Sequence, residues 1–245
     1  MKNLLTRRTI RKYSEQPVSE ALLNRLMNEA SRTQTMGNLQ LYSVVVTRSG
    51  EMKQRLAPAH FNQPMVTQAP VVLTICADFH RTTRWCEERQ AQAGYDNFLS
   101  YQTAAIDALL YTQTLCNLLD EEDLGSCDLG TTVYQPMQII EVLQLPKLVM
   151  PVATLTVGWP AEEPALTDRL PLEGFVHSET YHKPTADDID AYYCKKEKLP
   201  ENQHFVEINH KQTLAQIFTD IRYTKADNEA MSEGLKEALK HQGFL

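Results

Sequence analysis

The sequence predicts an α+β fold, and three observations support this class. Apolar and β-branched runs at residues 41–46, 71–77 and 150–157 are typical of buried strands. A segment from about residue 97 to 119 carries apolar residues at helical spacing on more than one face. Such a helix is expected in the middle of a protein or at a subunit interface. The part of the chain after Pro160 predicts about three helices and contains no clear strand pattern.

The other elements before Pro160 follow from capping and periodicity. Ser19 is placed to cap a helix whose apolar residues recur at helical spacing up to about residue 30. Gly125 follows the long helix and is expected to stop it. Residues 139–143 predict a short helix before the third strand.

After Pro160 the composition changes to a polar, proline-punctuated segment. A helix is predicted to start after Thr185, and a last helix is predicted over about residues 228–242. These helices look like wrapping rather than an independent domain. We therefore predict one domain over residues 1–245, with an extended, mainly helical part from about 160 to 245.

Charge and cysteine usage exclude several classes of protein. The chain has 24 Lys+Arg and 31 Asp+Glu, a formal net charge of -7, which argues against nucleic acid or an anionic membrane as main partner. No apolar run is long enough for a membrane span, and the basic N-terminal region lacks the apolar core of a signal peptide. We therefore expect a cytoplasmic protein. The 5 cysteines form no CxxC motif, so we expect neither a disulfide framework nor a bound metal.

Most catalytic signatures are missing. The sequence has no GxGxxG, P-loop, GxSxG or HExxH motif, which argues against a nucleotide enzyme with the usual glycine-rich loop. Cys127, close to Gly125, is a conceivable nucleophile, but the sequence places no partner histidine beside it. We interpret Cys127 as a packed loop cysteine.

The N-terminal region carries a positive signal for anion binding. Arg7, Arg8 and Arg11 lie within a few residues of one another, with the hydroxyl of Thr9 between them. Guanidinium groups suit bidentate phosphate binding, and Arg169 adds a cation far along the chain. Taken alone, the cluster fits a solvated basic patch equally well.

Several short motifs then occur in a fixed order. They are RRTIRKY (7–13) with QPVS (16–19), MGNLQLYS (36–43), VTQAP (66–70), CADFHR (76–81), LGSCDLG (124–130), LP (145–146), GWP (158–160), RLP (169–171), VHSETY (176–181) and QGF (242–244). Together they resemble the FMN-dependent nitroreductase family, and within it the oxygen-insensitive, NADPH-type nitroreductase and flavin reductase branch. The resemblance covers essentially the whole chain.

The resemblance implies a nitroreductase-like fold, with a central, mostly antiparallel sheet flanked by helices and a C-terminal helical extension wrapping the dimer partner. It implies an intertwined homodimer with one FMN per subunit at the interface. The implied activity is ping-pong hydride transfer from NADPH or NADH, through FMN, to a nitroaromatic, quinone or flavin acceptor.

The resemblance also assigns residues to the cofactor. Those for the phosphate and ribityl chain are Arg7, Arg8, Thr9, Arg11 and Arg169. Gln68 would bind the flavin ring, and the loop beside it would contribute Thr35, Asn38 and Gln40. The segment along the isoalloxazine would be Asp128, Leu129, Gly130 and Thr131. The resemblance implies no catalytic side chain that acts as nucleophile or general acid.

Two positions depart from the branch. Thr167 stands where a lysine is typical, which removes a charge beside the phosphate, and Asp128 stands where an uncharged residue is common. For NADPH, Arg222 and Lys225 are the nearby cations, so the choice between NADPH and NADH is open. Two alternatives are another flavin reaction on the same fold, such as dehalogenation, and a non-catalytic flavin-binding or interaction protein.

Overall fold

The computed structural model describes residues 4–245, and their contacts cluster into two compact units. The first unit contains the chain up to Ala165 together with Met231–Leu245, and the second is Leu166–Ala230. The prediction of one domain stays a prediction.

The first unit contains the sheet. Within residues 4–245 it has four strands, which are β1 (Tyr42–Thr47), β2 (Val71–Asp78), β3 (Gly125–Asp128) and β4 (Val149–Gly158). Their order is β1-β2-β4-β3, and every neighbouring pair is antiparallel. The three predicted strands are confirmed. Strand β3 was not predicted, because four residues that begin with glycine give no alternation to detect.

The helices of the first unit flank this sheet. They are α1 (Glu20–Ala30), α2 (Gly50–Leu56), α3 (Pro64–Gln68), α4 (His80–Glu88), α5 (Phe98–Glu121) and α6 (Pro136–Leu143). Ser19 caps α1 by accepting from the N–H of Leu22, as predicted. The helices α2, α3 and α4 were not predicted, because all three are short, with five to nine residues, and α2 and α4 are mostly polar. The α+β class is confirmed.

Helix α5 is apolar on two faces, as its sequence indicates. One face packs Ala108 and Leu115 into the main core beside β2 and β4. The other face leaves five large apolar side chains exposed by 38 to 74%, which we call the α5 stripe: Phe98, Leu99, Ile106, Leu109 and Leu110.

The segment before α1 is docked along the β3 and β4 edge. The N–H of Ile10 donates to the carbonyl of Ser126 at 3.1 Å, and Tyr13 forms an isolated bridge with Pro160. Gly125 makes this approach possible, because a Cβ there would lie 2.6 Å from the Cβ of Ile10. The prediction that Gly125 stops the long helix was wrong. The helix ends at Glu121, and Gly125 begins β3, where it admits Ile10.

The second unit is helical. It contains α7 (Ala186–Glu197), α8 (Pro200–Ile208) and α9 (Leu214–Ile217), while α10 (Lys225–Gln242) begins in it and ends in the first unit. Thr185 caps α7 in a capping box with Asp188, as the sequence signal suggested. Within residues 166–245 there are thus four α-helices rather than about three, and the last begins at Lys225 rather than near residue 228.

None of the helices in the described part of the chain is long and apolar enough to cross a membrane. The five cysteines are free thiols, and residues 4–245 contain no cluster of three or more His, Cys, Asp or Glu side chains able to hold a metal.

Candidate functional site

The N-terminal arginines lie among carboxylates. Arg7 Nε lies 3.5 Å from Asp120 Oδ2, and Arg8 Nη2 lies 3.5 Å from Glu163 Oε1. Arg8 Nε also donates to the carbonyl of Pro164 at 2.7 Å. These contacts hold the two guanidinium groups near carboxylates. Because each ion pair is partly open to water, the attraction within each pair is weak.

Arg11 is positioned through its backbone rather than its side chain. Glu162 Oε1 accepts from the N–H of Arg11 at 2.7 Å and from the N–H of Lys12 at 3.0 Å. These two N–H groups, with the charges of Lys12 and Arg11, lower the pKa of Glu162. The carboxylate therefore holds the backbone in place, while the exposed Arg11 side chain lies beside the Cys127 thiol.

The charges of two arginines affect the pKa values of Cys127 and Asp128 at the end of β3. Burial raises the pKa of the Cys127 thiol, and the nearby charges of Arg11 and Arg7 oppose this rise. Desolvation also raises the pKa of Asp128, against the opposing N–H of Leu129 and the charge of Arg7. The structure thus brings Arg7, Arg11 and Asp128 into one region. Cys127 is 3% exposed and lies in a strand, so it is the packed cysteine expected, although not in a loop.

The chain turns directly after β3. The N–H of the buried Leu129 donates to the carbonyl of Thr154 at 2.8 Å, and Gly130–Val133 then forms a short 3-10 helix. Among residues 4–245, no acceptor lies within hydrogen-bond distance of the backbone N–H groups of Gly130 and Thr131. A Cβ added to Gly130 would meet open space. The turn therefore presents two free donors at an open surface.

The side chain of Thr131 contacts a buried histidine. His60 Nδ1 lies 2.8 Å from Thr131 Oγ1, and Gln63 Nε2 lies 3.4 Å from the same oxygen. His60 belongs to the 3-10 helix Ala57–His60 and is completely buried. Desolvation lowers its pKa to about 4, so the ring is neutral at pH 7.

Gln68 is the last residue of α3, and its side chain is exposed. Met65 and Val66 of the same helix belong to one buried cluster with Cys127 and Leu129. This packing brings α3 alongside the turn that follows β3.

A second group of predicted residues precedes β1. The fully buried Asp107 of α5 accepts from the hydroxyl of Thr35, from the N–H of Met36 at 2.9 Å and from the N–H of Leu41 at 3.2 Å. One carboxylate therefore fixes both ends of this loop to α5. The loop also lies beside the α5 stripe, because the hydroxyl of Thr33 contacts the carbonyl of Leu110 at 3.5 Å.

Inside the loop, three residues adopt left-handed backbone conformations, which are Gly37 (φ +55°), Asn38 (φ +56°) and Gln40 (φ +48°). Such conformations cost energy for residues other than glycine. The Gln40 side chain offsets part of this cost by donating to the Asn38 carbonyl and amide oxygens at 2.6 and 2.7 Å.

The two groups of residues lie at opposite edges of the sheet. The loop of Thr35 to Gln40 leads into edge strand β1, and the turn of Asp128 to Thr131 follows edge strand β3, with β2 and β4 between them. Neighbouring strands lie about 4.8 Å apart, so the two edges are separated by about 14 Å. The structure does not bring these two groups together within one chain.

Thr167 and Arg169 belong to the second unit. Arg169 Nη1 donates to Thr167 Oγ1 at 2.7 Å and to the carbonyl of Asp168 at 2.8 Å. In the same unit the Arg222 guanidinium lies 4.8 Å from the ring centre of Phe205.

Comparisons with known proteins give the family. A family model described as the nitroreductase family matches residues 4–159, which is more than half of the chain. The chain belongs to the nitroreductase family. This confirms the resemblance, and the similar solved structures confirm the fold predicted from it.

Two relatives and one solved structure illustrate the match. A protein of Bacillus subtilis (strain 168) named FMN reductase (NAD(P)H) is 28% identical, covering 100% of this chain and 97% of its own. An oxygen-insensitive NADPH nitroreductase of Salmonella typhimurium is 29% identical, covering 76% of this chain and 75% of its own. A crystal structure from Bacteroides fragilis NCTC 9343, assigned as an oxidoreductase, is 57% identical with a TM-score of 0.96, covering 98% and 97% of the two chains.

Three residues that position the candidate site were not predicted from the sequence, which are His60, Asp107 and Glu162. Asp107 had a detectable signal, because a lone carboxylate stands among apolar residues of the long helix and must find partners if buried. His60 and Glu162 gave no detectable signal in the sequence, since their hydrogen-bond partners are 71 and about 150 residues away.

The buried His60 generates a prediction about stability and pH. Its pKa falls from 6.5 to about 4 on folding, so between these values the unfolded chain binds a proton that the folded chain does not. Stability therefore decreases as the pH falls through this window. Between pH 7 and pH 5, we expect the wild type to lose about 2 kcal/mol more free energy of unfolding than His60→Asn.

Urea unfolding of both proteins at the two pH values measures this difference. The exposed His204 provides a control, and His204→Asn should keep the wild-type dependence. Equal losses in the wild type and in His60→Asn would contradict the prediction.

Proposed function

We propose that the protein is an FMN-dependent NAD(P)H oxidoreductase of the nitroreductase or flavin reductase type. The observation that carries the proposal is the open turn after β3, where the free N–H groups of Gly130 and Thr131 lie in one region with Arg7 and Arg11. When bound, FMN supplies the redox chemistry, since it accepts hydride from NAD(P)H and passes two electrons to an acceptor.

The residues present fit the phosphate end of such a cofactor. Guanidinium groups bind phosphate through paired, charge-assisted hydrogen bonds, and the Arg11 side chain is exposed. We assign the phosphate and ribityl chain to Arg7, Arg8, Thr9, Arg11 and Arg169. Thr167, in the lysine position of the branch, adds a hydroxyl and no charge, so the arginines carry the electrostatic attraction.

The residues present also fit the isoalloxazine ring of FMN. Backbone N–H groups of Gly130 and Thr131 donate to the ring, because no protein acceptor occupies them. Leu129 is buried and anchors the turn, and Gln68 donates from the end of α3. Asp128 is exposed as a residue, while its carboxyl group is partly desolvated, which raises its pKa.

We further propose a homodimer, in which the loop of Thr35, Asn38 and Gln40 from one subunit completes the site of the other. Two features support it. The α5 stripe places five exposed apolar side chains on one helix, as is typical of subunit contacts, and the hydroxyl of Thr33 just before the loop contacts the carbonyl of Leu110 in the stripe. The loop and the turn after β3 lie at opposite sheet edges, so one chain does not supply both to one flavin.

The alternatives are less well supported. Neither dehalogenation nor a non-catalytic role is favoured by relatives that are named FMN reductase and NADPH nitroreductase. Arg222 lies against Phe205, and Lys225 lies 3.7 Å from Glu229 in an exposed ion pair. The choice between NADPH and NADH therefore stays open. A cytoplasmic location is proposed on the sequence argument alone.

The first prediction tests the activity. In anaerobic FMN-loaded protein, NADPH or NADH should bleach the flavin absorbance, and a quinone or nitroaromatic should restore it. A spectrophotometer records both steps, and parallel runs with the two nucleotides give the preference. Bound FMN that neither nucleotide bleaches would contradict the proposed activity.

The second prediction tests the phosphate assignment. Arg11→Ala and Arg169→Ala should each weaken FMN binding by about 1.5–3 kcal/mol, the value of a hydrogen bond to a charged group. Flavin fluorescence titration measures the affinity, and Arg89→Ala, at an exposed arginine after α4, is the control. Unchanged affinity in both variants would remove the assignment.

The third prediction tests the dimer. The wild type should sediment at twice the chain mass, and Leu109→Glu should shift it toward monomer, because a charge would be buried at the α5 stripe. Trp85→Glu, at an exposed apolar residue of α4, should leave the dimer intact. A wild-type monomer that retains FMN would overturn the shared site.

A further inference from the structure

The contact between His60 and Thr131 has features that an ordinary core contact lacks. His60 is 0% exposed, and its second ring nitrogen, Nε2, has no hydrogen-bond partner among residues 4–245. Buried polar atoms without a partner are rare in folded proteins. The ring is nevertheless held at this place by its Nδ1, which lies 2.8 Å from Thr131 Oγ1.

The unpartnered nitrogen determines which tautomer is present. The buried ring is neutral at pH 7, so only one of its nitrogens carries a proton. Buried N–H groups without an acceptor are rarer than buried acceptors without a donor. By the same preference we assign the proton to Nδ1, so that the Nδ1–H of His60 donates to Thr131 Oγ1.

This tautomer determines what the threonine hydroxyl does. Thr131 Oγ1 accepts from His60 Nδ1 and, at 3.4 Å, from Gln63 Nε2, which occupies both lone pairs of the oxygen. Its own proton remains, and within residues 4–245 no further acceptor lies near it. The hydroxyl is thus a donor without an acceptor, one residue from Gly130, where the surface is open.

We propose that His60 is a positioning residue, which makes the Thr131 hydroxyl a hydrogen-bond donor to the bound flavin. This inference rests on the proposed function. A donor on the ring stabilises the negative charge that the ring gains on taking up electrons, so it raises both the affinity for FMN and its midpoint potential. A histidine that only filled space would affect neither quantity through Thr131.

The test compares variants at both positions. His60→Leu and Thr131→Val should each weaken FMN binding about 5–10-fold, the effect of one hydrogen bond. Each should also reduce the preference for the reduced flavin about tenfold, which is about 30 mV for a two-electron couple. The double variant should be no worse than either single variant, because both changes remove the same donor.

His60→Asn provides the rescue, because the asparagine amide nitrogen can take the place of Nδ1 and donate to Thr131. It should restore FMN affinity and potential to within about twofold of the wild type. His204→Leu, at an exposed histidine, is the control. Fluorescence titration gives the dissociation constant, and anaerobic titration against a reference dye gives the potential.

Three results would overturn the inference while leaving the proposed function intact. They are wild-type values in both single variants, additive losses in the double variant, and no rescue by His60→Asn. A wild type that does not bind FMN would overturn the proposed function as well. If His60→Leu does not fold, nitrogen NMR of the labelled wild type decides, and a proton on Nε2 would refute the inference.

Discussion

The candidate site depends on one packing constraint, which is the docking of residues 10–13 along the β3 and β4 edge. Gly125 has no side chain where Ile10 lies, and the Tyr13 hydroxyl contacts both the Ile10 carbonyl at 2.7 Å and Thr156 Oγ1 at 2.7 Å. These contacts fix the arginine segment against the strand that leads into the open turn. On the proposed function, this docking would hold the phosphate-binding arginines at a fixed place relative to the turn before any ligand binds.

In addition to this docking, three polar side chains hold irregular segments of the candidate site in place. Asp107 fixes both ends of the loop before β1, Glu162 fixes the backbone of Arg11, and His60 fixes Thr131. Asp107 and His60 belong to helices, and Glu162 lies in the irregular segment after β4. Each of these side chains satisfies donors or acceptors of another irregular segment, which would otherwise be left unpaired. On the proposed function, the donors that face the ligand are the groups without a protein partner among residues 4–245. The residues that position the site therefore differ from the proposed ligand-binding residues. Only residues of the second group lie in the family motifs.

The sequence predicts much of this molecule, and its failures have physical causes. Long periodic elements such as α5 and the β-branched strands β2 and β4 were identified, because burial imposes a pattern on many residues. Strand β3 was missed, since only four residues pair there, and Gly125 was assigned to a helix end when its role is to admit Ile10. The contact between His60 and Thr131 joins residues 71 positions apart, and no local pattern encodes it. The arginines were found because their chemistry is recognisable without any partner.

The separation of the two groups of residues has a thermodynamic consequence. On the proposed arrangement, the turn after β3 comes from one subunit and the loop held by Asp107 from the other. FMN then contacts two chains at once, so its binding favours the dimer, and the dimer in turn favours its binding by the same factor. The exposed Leu109 of the α5 stripe and the free N–H of Gly130 thus contribute to a single linked equilibrium. In the proposed dimer, burial of the apolar side chains exposed on α5 would add stability through the same association that completes the site.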